Sequence, residues 1–231
     1  GLVLTVVNSQ VALLDLNRTH IVNSSNFYTF FNKDGELRDY FKNSNLIFVG
    51  NFSKKNITLS KPVKIISSGA RLYNSTINVI SDNVLVDGFT IINRHAVKSS
   101  SKWRDNLRFG ILLDNVKNVN LTNNRITVDS YDNAYGIYLY ESSNNILNNN
   151  KISSKANKFT SGIFLYKSNN NRISNNSVNV NGTSKVHKYE ASIHIDDATS
   201  LTDYDAEGMT VPEIYKTYGI ILLESSKNDL A

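Results

Sequence analysis

The sequence predicts an all-β solenoid, a parallel β-helix, from three observations: a repeat of 26 residues, apolar residues at strand spacing inside it, and asparagines recurring in fixed columns. Aligned on Gly110, Gly136 and Gly162, the chain reads "GILLDNVKNVNLTNNRITV", "GIYLYESSNNILNNNKISS" and "GIFLYKSNNNRISNNSVNV". Both spacings, 136 − 110 and 162 − 136, are 26. A repeat of this length announces stacked units, each burying its apolar side against the next.

The strands follow from the columns. Ile111, Ile137 and Ile163 align, and two positions on come Leu113, Leu139 and Leu165. Leu121, Leu147 and Ile173 form a third apolar column, and Ile126, Ile152 and Val178 a fourth. One outward residue separates the paired positions, the period of a strand with one buried face. A leucine-rich repeat has a similar length, but its return segment is helical, whereas "NRITVDS" and "NKISSKA" keep strand spacing.

Asparagine supplies the corners. The chain holds 34 of them, with columns at Asn118/Asn144/Asn170, Asn123/Asn149/Asn175 and Asn124/Asn150/Asn176. Asn disfavours helices and ordinary strands, tolerates the left-handed conformation, and can both donate and accept. Stacked about 4.8 Å apart, these side chains are expected to bond up and down as ladders.

Coils extend both ways. "NVLVDGFTII" aligns Asn83 with Asn118, Val84 with Val119 and Val86 with Leu121; downstream, "SIHIDDATS" and "GIILLESSKND" are expected to continue the inward column through Ile193, Ile195, Ile220 and Leu222. At least six coils are readable. Two excursions break the pattern, one in "NRHAVKSSSKWRDNLRF" and one over residues 200–217. Residues 1–43 are assigned to an N-terminal strand and cap, which a solenoid needs over its first coil, and residues 44–231 to the coils.

Composition narrows the function. The net charge of +5 is spread from Lys33 to Lys227 and reads as a solvated surface, so nucleic acid is not an expected partner. No cysteine is present, which removes disulfides, thiolate metal sites and a cysteine nucleophile. No apolar run reaches the roughly 20 residues of a membrane span. The opening "GLVLTVVNSQVALLDL" lacks a charged leader segment and reads as a mature N-terminus. Sequons at Asn17, Asn23, Asn51, Asn56, Asn74, Asn120, Asn175 and Asn181 are candidate glycosylation sites and point outside the cell.

From "FFNKDGELRDYFKNSNLIFVGNFSKKNITLSKPVKIIS" through "INVISDNVLVDGFTII" to the asparagine-rich coils, about residues 27 to 231, the chain resembles right-handed parallel β-helix repeat proteins. Within them it is similar to the adhesin-like surface proteins of methanogenic archaea. The resemblance implies secretion, a cell-wall or surface-layer setting, glycosylation, and adhesive or structural work without assigned chemistry. Other proteins of the fold are polysaccharide lyases and hydrolases, so that activity is an alternative.

Candidate chemistry is sparse. Asp196 and Asp197, with His194 nearby, are the local carboxylate pair, but no second pair accompanies them on a neighbouring coil, so the chain is not expected to be an enzyme. Asp203, Asp205 and Glu207 in "DYDAEG" resemble the opening of a calcium loop, but the twelfth position is Ile214 instead of Glu. Calcium is therefore a candidate and no cofactor is expected; the four histidines show no ligand spacing. Trp103 between Lys102 and Arg104, with Lys98 and Arg108 close in sequence, is the candidate glycan platform. The expected function is a secreted structural or adhesin-like protein. Its expected partners are cell-surface glycans, or itself through sheet edges or the strand "GLVLTVV", in a surface-layer or filament subunit.

Overall fold

The structure is a computed structural model, and it describes residues 2–7, 10–15, 18–95, 107–131, 133–157, 159–182 and 216–230. Strands β1 (Leu2–Val7) and β2 (Gln10–Asp15) pair with each other as an antiparallel hairpin, so the apolar N-terminal strand has a partner within its own chain. β3 (Thr19–Val22) joins the solenoid.

Six coils follow. They are β4–β6 (Asn45–Phe48, Asn51–Ser53, Ile57–Leu59), β7–β9 (Lys64–Ser67, Arg71–Tyr73, Ile77–Val79) and β10–β12 (Leu85–Asp87, Thr90–His95, Leu107–Asp114). Next come β13–β15 (Asn120–Thr122, Arg125–Ser130, Asn133–Tyr140), β16–β18 (Ile146–Asn148, Lys151–Ala156, Phe159–Tyr166) and β19–β21 (Arg172–Ser174, Ser177–Gly182, Lys216–Leu223). β22 (Asp229–Leu230) starts the next turn. The first strand of every coil, with β3 and β22, builds an eight-stranded sheet; the second and third strands build two six-stranded sheets. Every pairing among these coils is parallel, with Ile111, Ile137, Ile163 and Ile220 in one register. This is a parallel β-helix.

The core is the inside of the coil. Ile137, Leu139, Leu147 and Ile152 are buried with their counterparts above and below, each side chain contributing about 1.5–3 kcal/mol. Ile146, next to Leu147, points outward and is 40 % exposed. The N-terminal mouth is closed by α1 (Phe27–Phe30) and the segment after it. Asn23 and Asn26 set the entry to α1, each side-chain Oδ1 accepting from the other's backbone N–H. Phe27 stacks on Phe31 at 4.6 Å, Leu37 donates its N–H to Thr58 O, and Arg38 donates its N–H to Phe30 O.

The corner between the first and second sheets shows how sequence makes the turn. Its left-handed position is Gly50, Gly69 and Gly88 in the first three coils, then Asn123, Asn149 and Asn175. Glycine and asparagine are the two residues that take this conformation at low cost. The corner before the first sheet uses Asn83, Asn118, Asn144 and Asn170 in the same way.

Two expectations change. Only one of the three predicted asparagine columns is a buried ladder: Asn124, Asn150 and Asn176. Asn124 donates its side-chain Nδ2 to Asn150 Oδ1 at 3.0 Å, and Asn150 donates its own to Asn176 Oδ1 at 2.9 Å. Asn150 Oδ1 also accepts the Asn124 N–H, and Asn150 Nδ2 also donates to Leu121 O, so all four of its hydrogen-bond positions are filled. The other two columns are left-handed turn residues with exposed side chains, except the half-buried Asn123, and bonds such as Asn149 Nδ2 to Asn123 Oδ1 lie at the surface. A second buried ladder, unread in the sequence, runs through Asn145, Asn171 and Asn228 beside a serine column at Ser142, Ser168 and Ser225.

The second change concerns "SIHIDDATS". Ile163 pairs directly with Ile220 and Leu165 with Leu222, so Ile193 and Ile195 do not occupy the next rung of the column. That rung is reached across a step of 57 residues (220 − 163), and Ile193 and Ile195 themselves lie outside the described residues. The earlier excursion is as expected, Ile91 pairing with Ile126 across 35 residues (126 − 91).

One polar detail predicts a gain in stability. Ser154 stands in register between Val128 and Val180, and its Oγ, like Thr160 Oγ1, is buried with no hydrogen-bond partner. A buried hydroxyl left unpaired costs about 1–3 kcal/mol, so Ser154→Val should raise the unfolding free energy by about 1 kcal/mol, read as a higher urea midpoint. A lower midpoint would show that this hydroxyl has a partner in solution.

Candidate functional site

The long third-sheet strands are bent by glycine. In β15, Ala134 belongs to the core, Tyr135 points out, and Gly136 and Ile137 both turn in, so the alternation slips by one. A Cβ on Gly136 would collide with Ile152 Cγ2 and sit 2.5 Å from Gly162 O. Gly110 and Gly162 meet the same obstruction one coil away on either side. The glycine column of the repeat is therefore a steric requirement, and it sends the aromatic side chains before and after it outward.

Those outward residues form a second apolar cluster. Tyr135, Phe159, Phe164, Ile221 and Leu223 are buried, with Phe109, Tyr138 and Tyr166 packed against them. Phe164 is 4 % exposed although it faces away from the coil interior. Tyr138 meets Phe164 edge-on at 5.0 Å, and Phe109 stacks on Tyr135 at 5.4 Å. The signal was present in the sequence as aromatic residues close to the glycines, Phe109 and Tyr135 one before, Phe159 three before, and Tyr138 and Phe164 two after, but strand alternation alone assigned them to solvent.

At one margin of this cluster the surface opens. Tyr140 and Tyr166 lie in register with ring centroids 5.6 Å apart, both half-buried. The next column is Glu141, Lys167 and Glu224, all with left-handed backbones. Lys167 Nζ lies 5.0 Å from the Tyr166 ring centre and 3.9 Å from Glu224 Oε2. The Glu141 carboxylate, then burial and Tyr166, raise the Tyr140 phenol above the ordinary tyrosine value, with Lys167 opposing. Its hydrogen bond to Tyr166 and that ring's charge raise the Lys167 ammonium, with Glu224 and Glu141 adding to the shift. Across the neutral range this margin thus presents the neutral Tyr140 phenol and the Lys167 cation, groups suited to the apolar face and hydroxyls of a sugar.

The predicted site residues are placed as follows. Lys98, Lys102, Trp103 and Arg104 lie outside the described residues, as do His194, Asp196, Asp197, Asp203, Asp205, Glu207 and Asn17. Asn51, Asn56, Asn74, Asn120, Asn175 and Asn181 are exposed. Asn23 is half-buried, and its Oδ1 accepts from the N–H and the hydroxyl of Ser25, the third residue of its own sequon. Among the described residues no group of three or more His, Cys, Asp or Glu could hold a metal ion. Among them, too, no helix is long and apolar enough to cross a membrane.

A protein family described as "Periplasmic copper-binding protein (NosD)" matches residues 23–199, which is 177 of 231 positions (199 − 23 + 1). The chain belongs to the NosD family. No curated protein and no solved structure matches it. In this NosD-family chain the matched span starts just before α1 and takes in the cap, the first five coils, and β19 and β20 of the sixth.

Proposed function

We propose that the chain works outside the cytoplasm as a rigid scaffold, structural or adhesin-like, whose outer rows meet its partners. One observation carries this reading. The coil interior is filled by apolar side chains and closed asparagine and serine ladders, so the chemistry of the described residues is offered to a partner on the outer faces. The family's description as periplasmic supports export, and the exposed sequons support glycosylation of Asn51, Asn56, Asn74, Asn120, Asn175 or Asn181. The resemblance to archaeal adhesin-like proteins supports a cell-surface or cell-wall setting. Assembly into a lattice or filament, and polysaccharide cleavage, are the competing readings.

The family description also names copper. The described residues do not fit that ion: they hold no cluster of donors, and His20 packs between the rings of Phe30 and Phe41 at 5.8 and 5.2 Å.

The test is a glycan array followed by incubation of each hit with the protein, with and without calcium. The expected result is retention of cell-surface or cell-wall glycans with no oligosaccharide released. Release of oligosaccharides, or ordered filaments without any glycan retained, would overturn the reading.

A further inference from the structure

Cations that are scattered in the sequence are gathered on the second sheet. Its first outward column, in register from coil to coil, is Asn51, Arg71, Thr90, Arg125, Lys151 and Ser177. Its last outward column begins Arg94, Asp129, Lys155. Arg71, Arg94, Arg125, Lys151 and Lys155 are all exposed, and none forms an ion pair with a described carboxylate. Asp129, half-buried, is the acid between them, so the face carries a net excess of four positive charges (5 − 1).

Arg125 and Lys151 occupy adjacent coils, about 4.8 Å apart along the axis, and like charges stacked this way repel each other unless an anion lies over them. Folding alone gives no reason to place them there. The column between the two runs Ser53, Tyr73, Ile92, Thr127, Ser153 and Asn179, and its last three members, beside Arg125 and Lys151, are hydroxyls and an amide that can bond to neutral oxygens.

We propose that this face binds a linear acidic polysaccharide laid along the solenoid axis. Its carboxylates meet Arg71, Arg125 and Lys151, and its hydroxyls meet Thr127, Ser153 and Asn179. Charge complementarity selects a polyanion, and the spacing selects one with a charge on every sugar, a distance of the same order as a coil step. A single-stranded nucleic acid would also need a row of aromatic faces for its bases, and the outward aromatics among the described residues here are two separate ones, the half-buried Tyr73 and, just past β14, Tyr131. The inference holds whether or not the chain is an adhesin, because it concerns the isolated protein.

The test uses the full chain and polygalacturonate in a sedimentation assay, with dextran and single-stranded DNA as comparisons. Wild type should bind polygalacturonate in low salt, weaken steeply as salt rises, and ignore dextran. Arg125→Gln with Lys151→Gln should weaken binding roughly tenfold, the sum of two exposed charge contacts. Lys33→Gln with Lys42→Gln makes the same charge change at exposed positions off this sheet and should shift it less than about twofold. If the first double variant fails to fold, Arg125→Gln and Lys151→Gln singly should each weaken binding about threefold. No binding by wild type, equal loss in both double variants, or tighter binding of DNA overturns the proposal. A failed glycan array beside positive polygalacturonate sedimentation would instead sink the adhesin reading alone.

Discussion

Asn150→Ala is expected to cost about 3 kcal/mol of stability, while Asn149→Ala, one residue away, costs about 1 kcal/mol and Asn149→Gly almost nothing. Asn150 is 1 % exposed, and its side chain bonds to Asn124 N, Asn124 Nδ2, Leu121 O and Asn176 Oδ1. Alanine leaves the Asn124 N–H buried without its acceptor and a gap where the amide stood. Asn149 has a φ of 55° and a side chain at the surface, so alanine there loses one exposed hydrogen bond, to Asn123 Oδ1, and meets the left-handed strain that glycine avoids. Urea unfolding of the three variants reads the difference. Similar midpoints for Asn149→Ala and Asn150→Ala would mean that the amide bonds contribute no more than turn preference does.

Gly136→Ala should be at least as damaging, about 3 kcal/mol or more, because the added methyl has nowhere to go. On one side stands the Ile152 side chain, on the other the Gly162 carbonyl, which is held in the next coil. Ile152→Ala removes the first obstacle and leaves the second, so the double variant should lose less than the sum of its parts. Gly69→Ala is the control: a Cβ there meets nothing within 4 Å, and its φ of 77° makes the loss one of backbone strain. Equal losses at Gly69 and Gly136 would contradict the steric account.

Much of this fold is legible because the middle coils keep one length. With Gly110, Gly136 and Gly162 aligned, each inward residue of a coil lands on its neighbour, and Ile111, Ile137 and Ile163 do pair. What the sequence hides follows from the same periodicity. Asn149 and Asn150 recur with equal regularity, and only the backbone tells which takes the turn and which turns in. The Asn145 ladder starts from a valine, Val119, and its last member, Asn228, is displaced by 57 residues from Asn171, so the column looks broken. Ile193 and Ile195 have the same spacing as Ile220 and Leu222, and spacing alone does not say that the latter pair follows Ile163 and Leu165.

The outer faces are read less well for a different reason. Alternation separates inside from outside but does not say what lies outside, so Phe164 and Ile221 pass for solvent residues though both are buried. The cations Arg125 and Lys151 are 26 residues apart in the chain and one rung apart in space.

The central claim is that the asparagines divide into buried ladder members and exposed turn formers, leaving the outer faces for partners. Hydrogen exchange of the asparagine side-chain amides, resolved by NMR, tests it directly. The Nδ2 protons of Asn124, Asn145, Asn150 and Asn171 should be protected far longer than those of Asn118, Asn144 and Asn170. Uniformly fast exchange across both sets would contradict the account.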